Sequence, residues 1–404
     1  MRIGAVLTGY TPESGGGFTF EDDILQAVIS LHDSTPHHIT LIVPQAYAPA
    51  LSDHAGTKIP VVSFSAGNRL QRAAESLVRD SMFFRRHLRV SSRLDRLARR
   101  ERLDVLFFLS AGIHVTQYPY VTIVWDLQHR TMPWFPELSN GVWDSWESRE
   151  LAWPSFIRKA SLVITGTQVG SEEIGRFYGV PKDRIVILPH PTPRFALAAG
   201  PSDNGQVFRR LGVTPPYLLY PAQFWSHKNH VSLLLAVKRL RDGYGLAPQL
   251  VLVGSDKGNY AHVNKLCREL GLVSQVLFLG FVDRADLVAL YRGAMALTYT
   301  SFGGPENLPP LEAFALGCPV IAARVPGADE QLDDCAILVS PSDPEDIARA
   351  IYRVLSEQEL RAELVARGRE RAVRWTGENF VRGALAGIDI LSPYVRCWSE
   401  GSRR

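Results

Sequence analysis

Short apolar runs alternate with longer amphipathic segments along both halves of this chain of 404 residues. Each run is bounded by turn residues and is typical of a buried strand, whereas the segments between the runs are typical of helices. This alternation predicts parallel sheets with helices on both faces. The predicted strands are RIGAVLTG, HHITLIVP, DVLFFLS, YVTIVWD, ASLVITGT and RIVILP, followed by YLLYPA, PQLVLVG, QVLFLGF, AMALTYT, CPVIAA and AILVS.

The two series of strands are separated by HPTPRFALAAGPSDNG, a stretch rich in proline and glycine. Together with the length of the chain, this predicts two α/β domains, each doubly wound, that face each other across a cleft. We place the first domain at residues 1–195, a linker at 196–207, the second domain at 208–380, and at 381–404 a C-terminal segment that can cross back to the first domain. In such sheets, ligands bind beyond the carboxyl ends of the strands.

Composition limits the class of protein. The chain is 46% hydrophobic and 21% charged, which indicates a globular protein, and its net charge of +3 is too small to predict binding to nucleic acid. No C-x-x-C spacing occurs, so the cysteines are predicted to be buried thiols in a reducing compartment. Neither a signal peptide nor a long apolar run is found, which predicts a cytoplasmic protein. The cysteines are Cys267, Cys318, Cys335 and Cys397.

Three glycines, Gly15, Gly16 and Gly17, lie between the first predicted strand and a helix. Glycine lets the backbone approach a ligand closely, and the start of the following helix favours an anion. The spacing is not G-x-G-x-x-G, so a dinucleotide fingerprint is not present. A tight strand-to-helix turn without a ligand is the alternative interpretation.

Two features of the second half suit a phosphate ligand. Lys228, in YPAQFWSHKNH, lies near the start of a predicted helix and can bring a positive charge to a phosphate, or can simply be solvated. In TSFGGPENLPPLEAFALGCPV, prolines open a helix, so free amides must come from Asn307, Leu308 and their neighbours. Glu312 in that helix can accept hydrogen bonds from a ribose diol, or can cap the helix itself.

These segments, together with LVLVGS and VLFLGFVDRADLVALYRGAMALTYTS, are similar in order and spacing to the donor-binding domain of the family 4 retaining glycosyltransferases. ASLVITGTQVGSEEIGRFYGVPKDRIVILPHP and VTIVWDLQHR resemble the end of that family's acceptor domain. The resemblance implies the GT-B fold and the transfer of a sugar from a nucleotide donor to an acceptor hydroxyl, with the anomeric configuration kept. It also implies that no metal ion is needed.

The family's site residues are matched unevenly. The second acid of its Glu-x7-Glu pair matches Glu312, which the resemblance assigns to the donor ribose, but the first falls on Gly304. Glu306 is two residues out of register and is a candidate to replace that acid's contact with the donor sugar, or leaves it unreplaced. A subgroup with a Gly-Pro-x-Asn-apolar-Pro-Pro-Leu-Glu loop shares this variation. The family's phosphate-binding Arg–Lys pair corresponds to Gln223 and Lys228, so the arginine is missing.

In the first half, VWDLQHR stands where many members carry a His-Asp pair near the transfer site. Trp125 replaces the histidine, whereas Asp126 and His129 remain as candidate catalytic residues. A helix cap or turn is the alternative role for Asp126. A following loop offers aromatic faces that suit sugar rings, or that pack onto the domain. The aromatic residues are Trp134, Phe135, Trp143 and Trp146.

Residues 69–102 contain eleven Arg, no Lys and four acids among apolar residues. Such a basic amphipathic segment can lie on an anionic membrane surface, or can form ordinary surface helices. The first interpretation predicts a peripheral protein on the inner face of the membrane.

The sequence therefore predicts a retaining glycosyltransferase that moves a hexose, mannose first among the candidates, to a saccharide or lipid-linked acceptor in cell-surface polysaccharide assembly. Two alternatives remain open. One is a homologue that binds a nucleotide sugar without catalysis, which Gly304 and Gln223 favour. The other is a sugar-nucleotide epimerase of the same fold, which NLPPLEAFALGCPV disfavours.

Overall fold

The computed structural model describes residues 1–47, 59–64, 92–139, 145–201 and 203–397. It divides into two compact units. Unit 1 contains the described residues of Met1–Pro133, Leu138–Pro189 and Gly377–Arg404, and unit 2 contains those of Trp134–Glu137 and His190–Thr376.

Unit 1 is built on a seven-stranded parallel sheet in the order β3-β2-β1-β4-β5-β6-β7. The strands are almost wholly apolar because helices cover both faces of the sheet. They are β1 (Arg2–Val6), β2 (His38–Pro44), β3 (Val61–Phe64), β4 (Val105–Ala111), β5 (Tyr120–Ile123), β6 (Leu162–Thr165) and β7 (Ile185–Ile187).

Helices of the first half of the chain follow the strands. They are α1 (Gly16–Leu31), α2 (Arg93–Arg100), α3 (Gln128–Thr131), α4 (Pro136–Ser139), α5 (Trp146–Lys159) and α6 (Gln168–Tyr178). Two helices from the end of the chain, α16 (Gly377–Asp389) and α17 (Ser392–Val395), also belong to unit 1. Phe380 of α16 packs edge-on against Phe20 of α1, with ring centroids 5.5 Å apart.

Unit 2 is built on a six-stranded parallel sheet in the order β10-β9-β8-β11-β12-β13. Its strands are β8 (Tyr217–Pro221), β9 (Gln249–Val253), β10 (Val276–Gly280), β11 (Ala296–Tyr299), β12 (Val320–Ala323) and β13 (Ala336–Val339). The helices of this half are α7 (Arg194–Leu197), α8 (Asn204–Leu211), α9 (His230–Tyr244), α10 (Tyr260–Glu269), α11 (Arg284–Gly293), α12 (Leu308–Leu316), α13 (Ala328–Leu332), α14 (Pro344–Ser356) and α15 (Gln358–Arg374).

The predicted α/β class and the two parallel-sheet domains are confirmed, and each predicted strand is present. The prediction missed β3, whose four residues VVSF are only partly buried and lack a clear alternation. The units divide between Pro189 and His190, whereas we predicted the first domain to end at residue 195. Parts of the predicted linker, 196–207, are helical.

The cysteine prediction needs one correction. Three thiols are buried as expected, but Cys397 is exposed because it follows the short last helix of the described chain.

Candidate functional site

Strand order reverses once in each sheet, between β1 and β4 in unit 1 and between β8 and β11 in unit 2. The loops that follow the carboxyl ends of two such strands diverge and leave a crevice, which is where ligands bind in open α/β sheets. The loops at these two places are therefore two candidate binding regions, one in each unit.

In unit 2, Lys228 ends a short turn, Ser226–Lys228, that leads from β8 into α9. The next residue, Asn229, adopts φ +55°, and its side-chain oxygen caps α9 by accepting a hydrogen bond from the Ser232 amide at 3.3 Å. Its side-chain nitrogen donates to the carbonyls of Thr300 and Pro341, at 3.0 and 2.7 Å. Asparagine tolerates this left-handed conformation and satisfies polar groups on both sides, so the backbone that carries Lys228 is fixed.

The half-buried Lys228 side chain turns toward β11. Its ammonium donates to the hydroxyl of Tyr299 at 3.0 Å and lies 5.4 Å from the centre of the Tyr299 ring. The same hydroxyl donates to Oδ1 of Asn307 at 3.0 Å, and Nδ2 of Asn307 donates to the Gly304 carbonyl at 3.0 Å. A cation at the end of β8 is thus connected, through two hydrogen bonds, to the residue that precedes α12.

The backbone of Asn307 is paired with a side chain of α13. Its amide donates to Oε1 of Gln331 at 3.0 Å, and its carbonyl accepts from Nε2 of Gln331 at 2.9 Å. We predicted that the Asn307 amide is offered to an anion. That prediction is corrected, because Gln331 already takes its hydrogen. Leu308 begins α12, and Pro309 and Pro310 occupy its first turn as predicted.

Gly304 adopts φ +96°, a conformation that favours glycine. A Cβ atom added there would lie 2.8 Å from Oδ1 of Asn307. The side chain of Asn307 therefore occupies the space that a residue other than glycine would need at position 304. The acid that the family resemblance places at 304 would therefore require the Asn307 side chain to move and the backbone to keep a φ that favours glycine.

Glu312 lies inside α12 and is buried. Its Oε2 accepts a hydrogen bond from the hydroxyl of Tyr291 at 2.6 Å. Burial, reinforced by the neighbouring Glu312 carboxylate, raises the pKa of Tyr291 well above its ordinary value. Tyr291 therefore stays a neutral donor, and its hydrogen bond orients the Glu312 carboxylate.

Glu306 contacts His190, the first residue of the longer segment of unit 2. Its Oε1 accepts from the His190 amide at 2.7 Å, and its Oε2 lies 3.8 Å from Nε2 of His190. Burial raises the pKa of Glu306 to about 8, and burial lowers the pKa of His190 to about 3. The structure thus ties Glu306 to the His190 backbone, and its predicted contact with a donor sugar stays a prediction.

Gln223 and His227, also in the β8–α9 loop, form hydrogen bonds that stabilise the loop. Oε1 of Gln223 accepts from the Trp225 indole at 3.1 Å. Glu137 accepts from the amide of His227 at 3.1 Å and contacts its Nδ1 at 2.5 Å. Burial raises the pKa of Glu137, but the hydrogen bonds from His227 outweigh that effect and leave the pKa below its ordinary value. The predicted donor contact of Gln223 stays a prediction.

In unit 1, the loop after β1 is organised by Glu21 of α1, a residue that the sequence analysis missed. This carboxylate is only 4% exposed and accepts from the amides of Thr8, Gly9 and Tyr10, at 2.6, 3.0 and 3.1 Å. It also accepts from the hydroxyls of Thr8 and Ser110, at 2.5 and 2.6 Å. These loop amides therefore point at a protein carboxylate. An acid close behind a glycine run at a helix start is the signal that could have indicated this.

The predicted glycine loop forms a tight entry to α1. Gly15 adopts φ +65° and its amide donates to the Pro12 carbonyl at 3.1 Å, after which Gly16 begins the helix. A Cβ atom on Gly17 would lie 3.3 Å from the Tyr10 ring and 3.5 Å from the Trp125 ring. A larger residue at position 17 would therefore press on the Tyr10 ring. Ligand binding by Gly15, Gly16 and Gly17 stays a prediction.

Asp126 follows β5 and acts locally as a turn former. Its Oδ1 accepts from the Gln128 amide at 3.0 Å, at the start of α3, and lies 3.9 Å from Nη1 of Arg149. Burial and the Asp126 charge raise the pKa of Glu173. The side chain remains about a third exposed, so a role toward a ligand stays a prediction.

If Asp126 serves only the turn, Asp126→Asn should leave the predicted sugar transfer unchanged, because an asparagine oxygen can accept the same hydrogen bond. If its charge acts at the transfer step, as we predict, the variant should lose about tenfold or more in turnover with little change in donor affinity. Steady-state kinetics with binding measured by calorimetry separates the two results. Asp104→Asn, which also receives a backbone hydrogen bond, is the control.

His129 lies in the core of unit 1, 0% exposed. Its Nε2 is 3.0 Å from the Tyr178 hydroxyl and 3.3 Å from Oε1 of Glu150, and its ring meets Trp153 edge-on at 5.0 Å. In this structure the residue packs and forms hydrogen bonds inside the unit. Its catalytic role stays a prediction.

The predicted aromatic residues have different environments. Phe135 packs against His227 and Phe302, with ring centroids 6.1 and 6.0 Å apart, which is the packing alternative. Trp134 is 71% exposed and Trp146 begins α5. Trp143 lies outside the described residues.

Residues 69–91, most of the Arg-rich segment, also lie outside the described residues. Its end forms α2, which Ser92 and Asp95 cap reciprocally and whose Leu94 and Leu97 are buried. In the described part of the chain, no helix is long and apolar enough to cross a membrane. The same residues contain no group of three or more His, Cys, Asp or Glu side chains arranged to hold a metal ion.

Known proteins are similar to this chain over its second half. The family model for "Glycosyl transferases group 1" matches residues 206–371, which include Lys228, Tyr299 and Glu312. The chain is 28% identical over 237 residues to the O-antigen chain mannosyltransferase B of Escherichia coli, which covers 57% of this chain and 61% of that protein. It is 30% identical over 240 residues to a D-inositol 3-phosphate glycosyltransferase of Acidothermus cellulolyticus, which covers 57% of this chain and 53% of that one. The chain thus spans little more than half the length of these relatives.

A solved structure extends the likeness to nearly the whole chain. The Anabaena protein HepE, crystallised in complex with UDP-glucose, superimposes with a TM-score of 0.68 at 19% identity, covering 97% of this chain and 100% of that one. The fold is GT-B. The predicted fold is therefore confirmed.

The sequence analysis missed Tyr299 and Gln331, which hold Lys228 and Asn307 in this GT-B protein. In the sequence, Tyr299 looks like one more apolar residue at the end of a strand. Gln331 looks like a surface residue of a short helix. The position of Tyr299, last in a strand at the switch point, is the signal that could have marked it.

Proposed function

We propose that this protein is a retaining glycosyltransferase of family 4. It moves a hexose, with mannose as the first candidate, from a nucleotide sugar to a saccharide or lipid-linked acceptor in cell-surface polysaccharide assembly. The match of residues 206–371 supports transferase chemistry, and the O-antigen mannosyltransferase relative supports the class of donor and acceptor.

One observation carries the proposal. The ammonium of Lys228 is held 3.0 Å from Tyr299 at the end of β11, and Tyr299 is bonded in turn to the residue that precedes α12. A cation close to the start of a helix provides two sources of positive potential for the diphosphate of a nucleotide sugar. As the bond from the sugar to the diphosphate breaks, negative charge grows on the leaving group, so both sources favour the transition state.

Glu312 completes the donor half of the site, because a carboxylate held by Tyr291 can accept hydrogen bonds from a ribose diol. We assign no residue to the role of the arginine that the family carries and this chain lacks. The resemblance therefore makes Lys228 the principal positive charge toward the diphosphate. Turnover without a metal ion and association with a membrane surface stay predictions.

Turnover with GDP-mannose and UDP-glucose tests the proposal, followed as release of nucleoside diphosphate with a panel of saccharide acceptors. Acceptor-dependent release, with the anomeric configuration of the donor kept in the product by NMR, is the expected result. Binding of a nucleotide sugar without transfer or hydrolysis would identify the non-catalytic homologue. Conversion of the donor sugar with no acceptor present would identify the epimerase.

Glu312→Gln is expected to weaken binding of the nucleotide sugar by about ten- to a hundredfold, because hydrogen bonds to a charged acceptor become hydrogen bonds to a neutral amide. Calorimetry measures the affinity. Glu345→Gln is the matched control, since Glu345 also accepts from a tyrosine hydroxyl, that of Tyr244 at 2.8 Å, but on the surface. Equal affinities for the wild type and Glu312→Gln would remove Glu312 from the donor site.

A further inference from the structure

The hydrogen bonds around Tyr299 have only one consistent direction. The Gly304 carbonyl can only accept, so the nitrogen of the Asn307 amide faces it and the amide oxygen faces Tyr299. That oxygen also can only accept, so the Tyr299 hydroxyl donates to it. The remaining lone pairs of the hydroxyl are then directed at Lys228, whose ammonium can only donate.

This series of hydrogen bonds begins at Asn307, whose backbone is held in place by Gln331. Gln331 pairs with both the amide and the carbonyl of Asn307, so the backbone there cannot rotate without breaking two hydrogen bonds. Gly304 leaves the space that the Asn307 side chain fills, since a Cβ atom at 304 would lie 2.8 Å from Oδ1. The direction in which Tyr299 presents its lone pairs is therefore fixed by residues that do not touch Lys228.

The hydrogen-bond partner of the Lys228 ammonium, the Tyr299 hydroxyl, is an uncharged group. A tyrosine hydroxyl is neutral at neutral pH, and its ring face adds a weak attraction for the cation at 5.4 Å. Among the described residues, no carboxylate forms an ion pair with Lys228. The ammonium is thus oriented without being neutralised, and two of its three hydrogens remain for an anionic ligand.

We propose that Tyr299, itself oriented by Asn307, Gly304 and Gln331, is a positioning residue that holds the Lys228 ammonium toward the diphosphate of the nucleotide. This inference rests on the proposed function, because it assigns the anion that Lys228 receives. It also explains why Gly304 and Asn307 occur together in this loop: the amide can orient Tyr299 only if position 304 carries no side chain.

A double-mutant cycle on nucleotide binding tests the inference in the full-length protein. The probes are UDP and GDP, with uridine and guanosine as ligands that lack phosphates. Tyr299→Phe keeps the ring and removes the hydroxyl, and is expected to weaken binding of the preferred diphosphate by about tenfold while leaving binding of the matching nucleoside unchanged. In a Lys228→Met background, the same substitution should change diphosphate affinity by less than about twofold, because the group that it positions is gone.

Asn307→Ala leaves Tyr299 and Lys228 in place and frees the hydroxyl to rotate. It should weaken diphosphate binding in the same direction by a smaller factor, and that loss should also vanish in the Lys228→Met background. This variant keeps the test available if Tyr299→Phe does not fold. Tyr244→Phe, which removes a surface hydroxyl bonded to Glu345 in the same unit, is the matched control and should bind as the wild type does.

The outcomes separate this inference from the proposed function. If the wild-type protein binds neither diphosphate, the proposed function fails. If it binds one of them and the effects of Tyr299→Phe and Lys228→Met are independent, only the positioning role is overturned. A loss of nucleoside affinity equal to the loss of diphosphate affinity would likewise show that Tyr299 acts on the fold of the site and not on Lys228.

Discussion

Replacing Lys228 with methionine is expected to lower the rate of sugar transfer by about a hundred- to a thousandfold, the range seen when one preorganised donor to a developing anion is removed. Methionine keeps the length and apolar body of the side chain, so the packing against Tyr299 is largely retained. Because the charge on the diphosphate grows as the sugar bond breaks, the loss should be larger in turnover than in affinity for the intact nucleotide sugar.

Turnover and donor affinity, measured separately, check this expectation. Lys238→Met is the control, since it removes the same charge from α9 of the same unit, where Lys238 pairs with Asp242 on the surface. Equal losses for the nucleoside and for the full nucleotide sugar would mean that Lys228 holds the loop and does not contact phosphate.

The strands could be predicted from the sequence because parallel strands covered on both faces are apolar throughout. A run such as YLLYP needs no knowledge of its neighbours to be recognised, and it became β8. In β3, by contrast, the run VVSF is short and includes the exposed Ser63, so its hydrophobic signal was too weak. Partial burial alone did not hide a strand, because β7, β10 and β13 are also largely half-buried and were predicted.

Some candidate site residues lie in motifs that a sequence displays directly. Lys228 and Glu312 stand in short motifs that are local in sequence, and both lie near the switch point of their sheet. The partners that fix them are not local: Tyr299 is 71 residues from Lys228, and Gln331 is 24 residues from Asn307. Such pairs depend on which loops the fold brings together, so no motif contains them.

The structure buries both Glu306 and His129, whose predicted roles stay predictions. Both were chosen as polar residues next to a matching motif, which is a reason to expect exposure to a ligand. The structure surrounds each of them with protein, His129 with Tyr178 and Trp153, and Glu306 with His190. A sequence shows that a side chain is polar, but its partner inside the fold decides whether it faces the site.

Burial of the Glu306 carboxyl group makes the free energy of unfolding depend on pH. The direction of that dependence follows from the raised pKa of Glu306. Burial raises the pKa from an ordinary 4.5 to about 8 in the folded protein. A group whose pKa is raised by folding contributes stability that is fully present below pH 4.5 and is lost as the pH rises through 8. The change from 4.5 to about 8 corresponds to up to about 5 kcal/mol across that window.

His190 acts on the other side of neutral pH. Burial lowers its pKa from 6.5 to about 3, so its contribution is present above pH 6.5 and is lost as the pH falls through 3. Unit 2 should therefore be most stable in mildly acidic solution, where neither contribution is fully lost. The loss of stability as the pH rises comes from Glu306.

Glu306→Gln should remove that alkaline loss. A glutamine oxygen can still accept the hydrogen bond from the His190 amide, which is 2.7 Å from Oε1, but the amide does not ionise. Near pH 5 the variant and the wild type should have similar free energies of unfolding, and toward pH 9 the variant should become the more stable by several kcal/mol. Urea unfolding at intervals between about pH 5 and pH 9 measures the difference, with the exposed Glu269→Gln as the control. Parallel profiles for Glu306→Gln and the wild type would show that Glu306 titrates normally in the folded protein, and its carboxylate would then be charged at neutral pH beside His190.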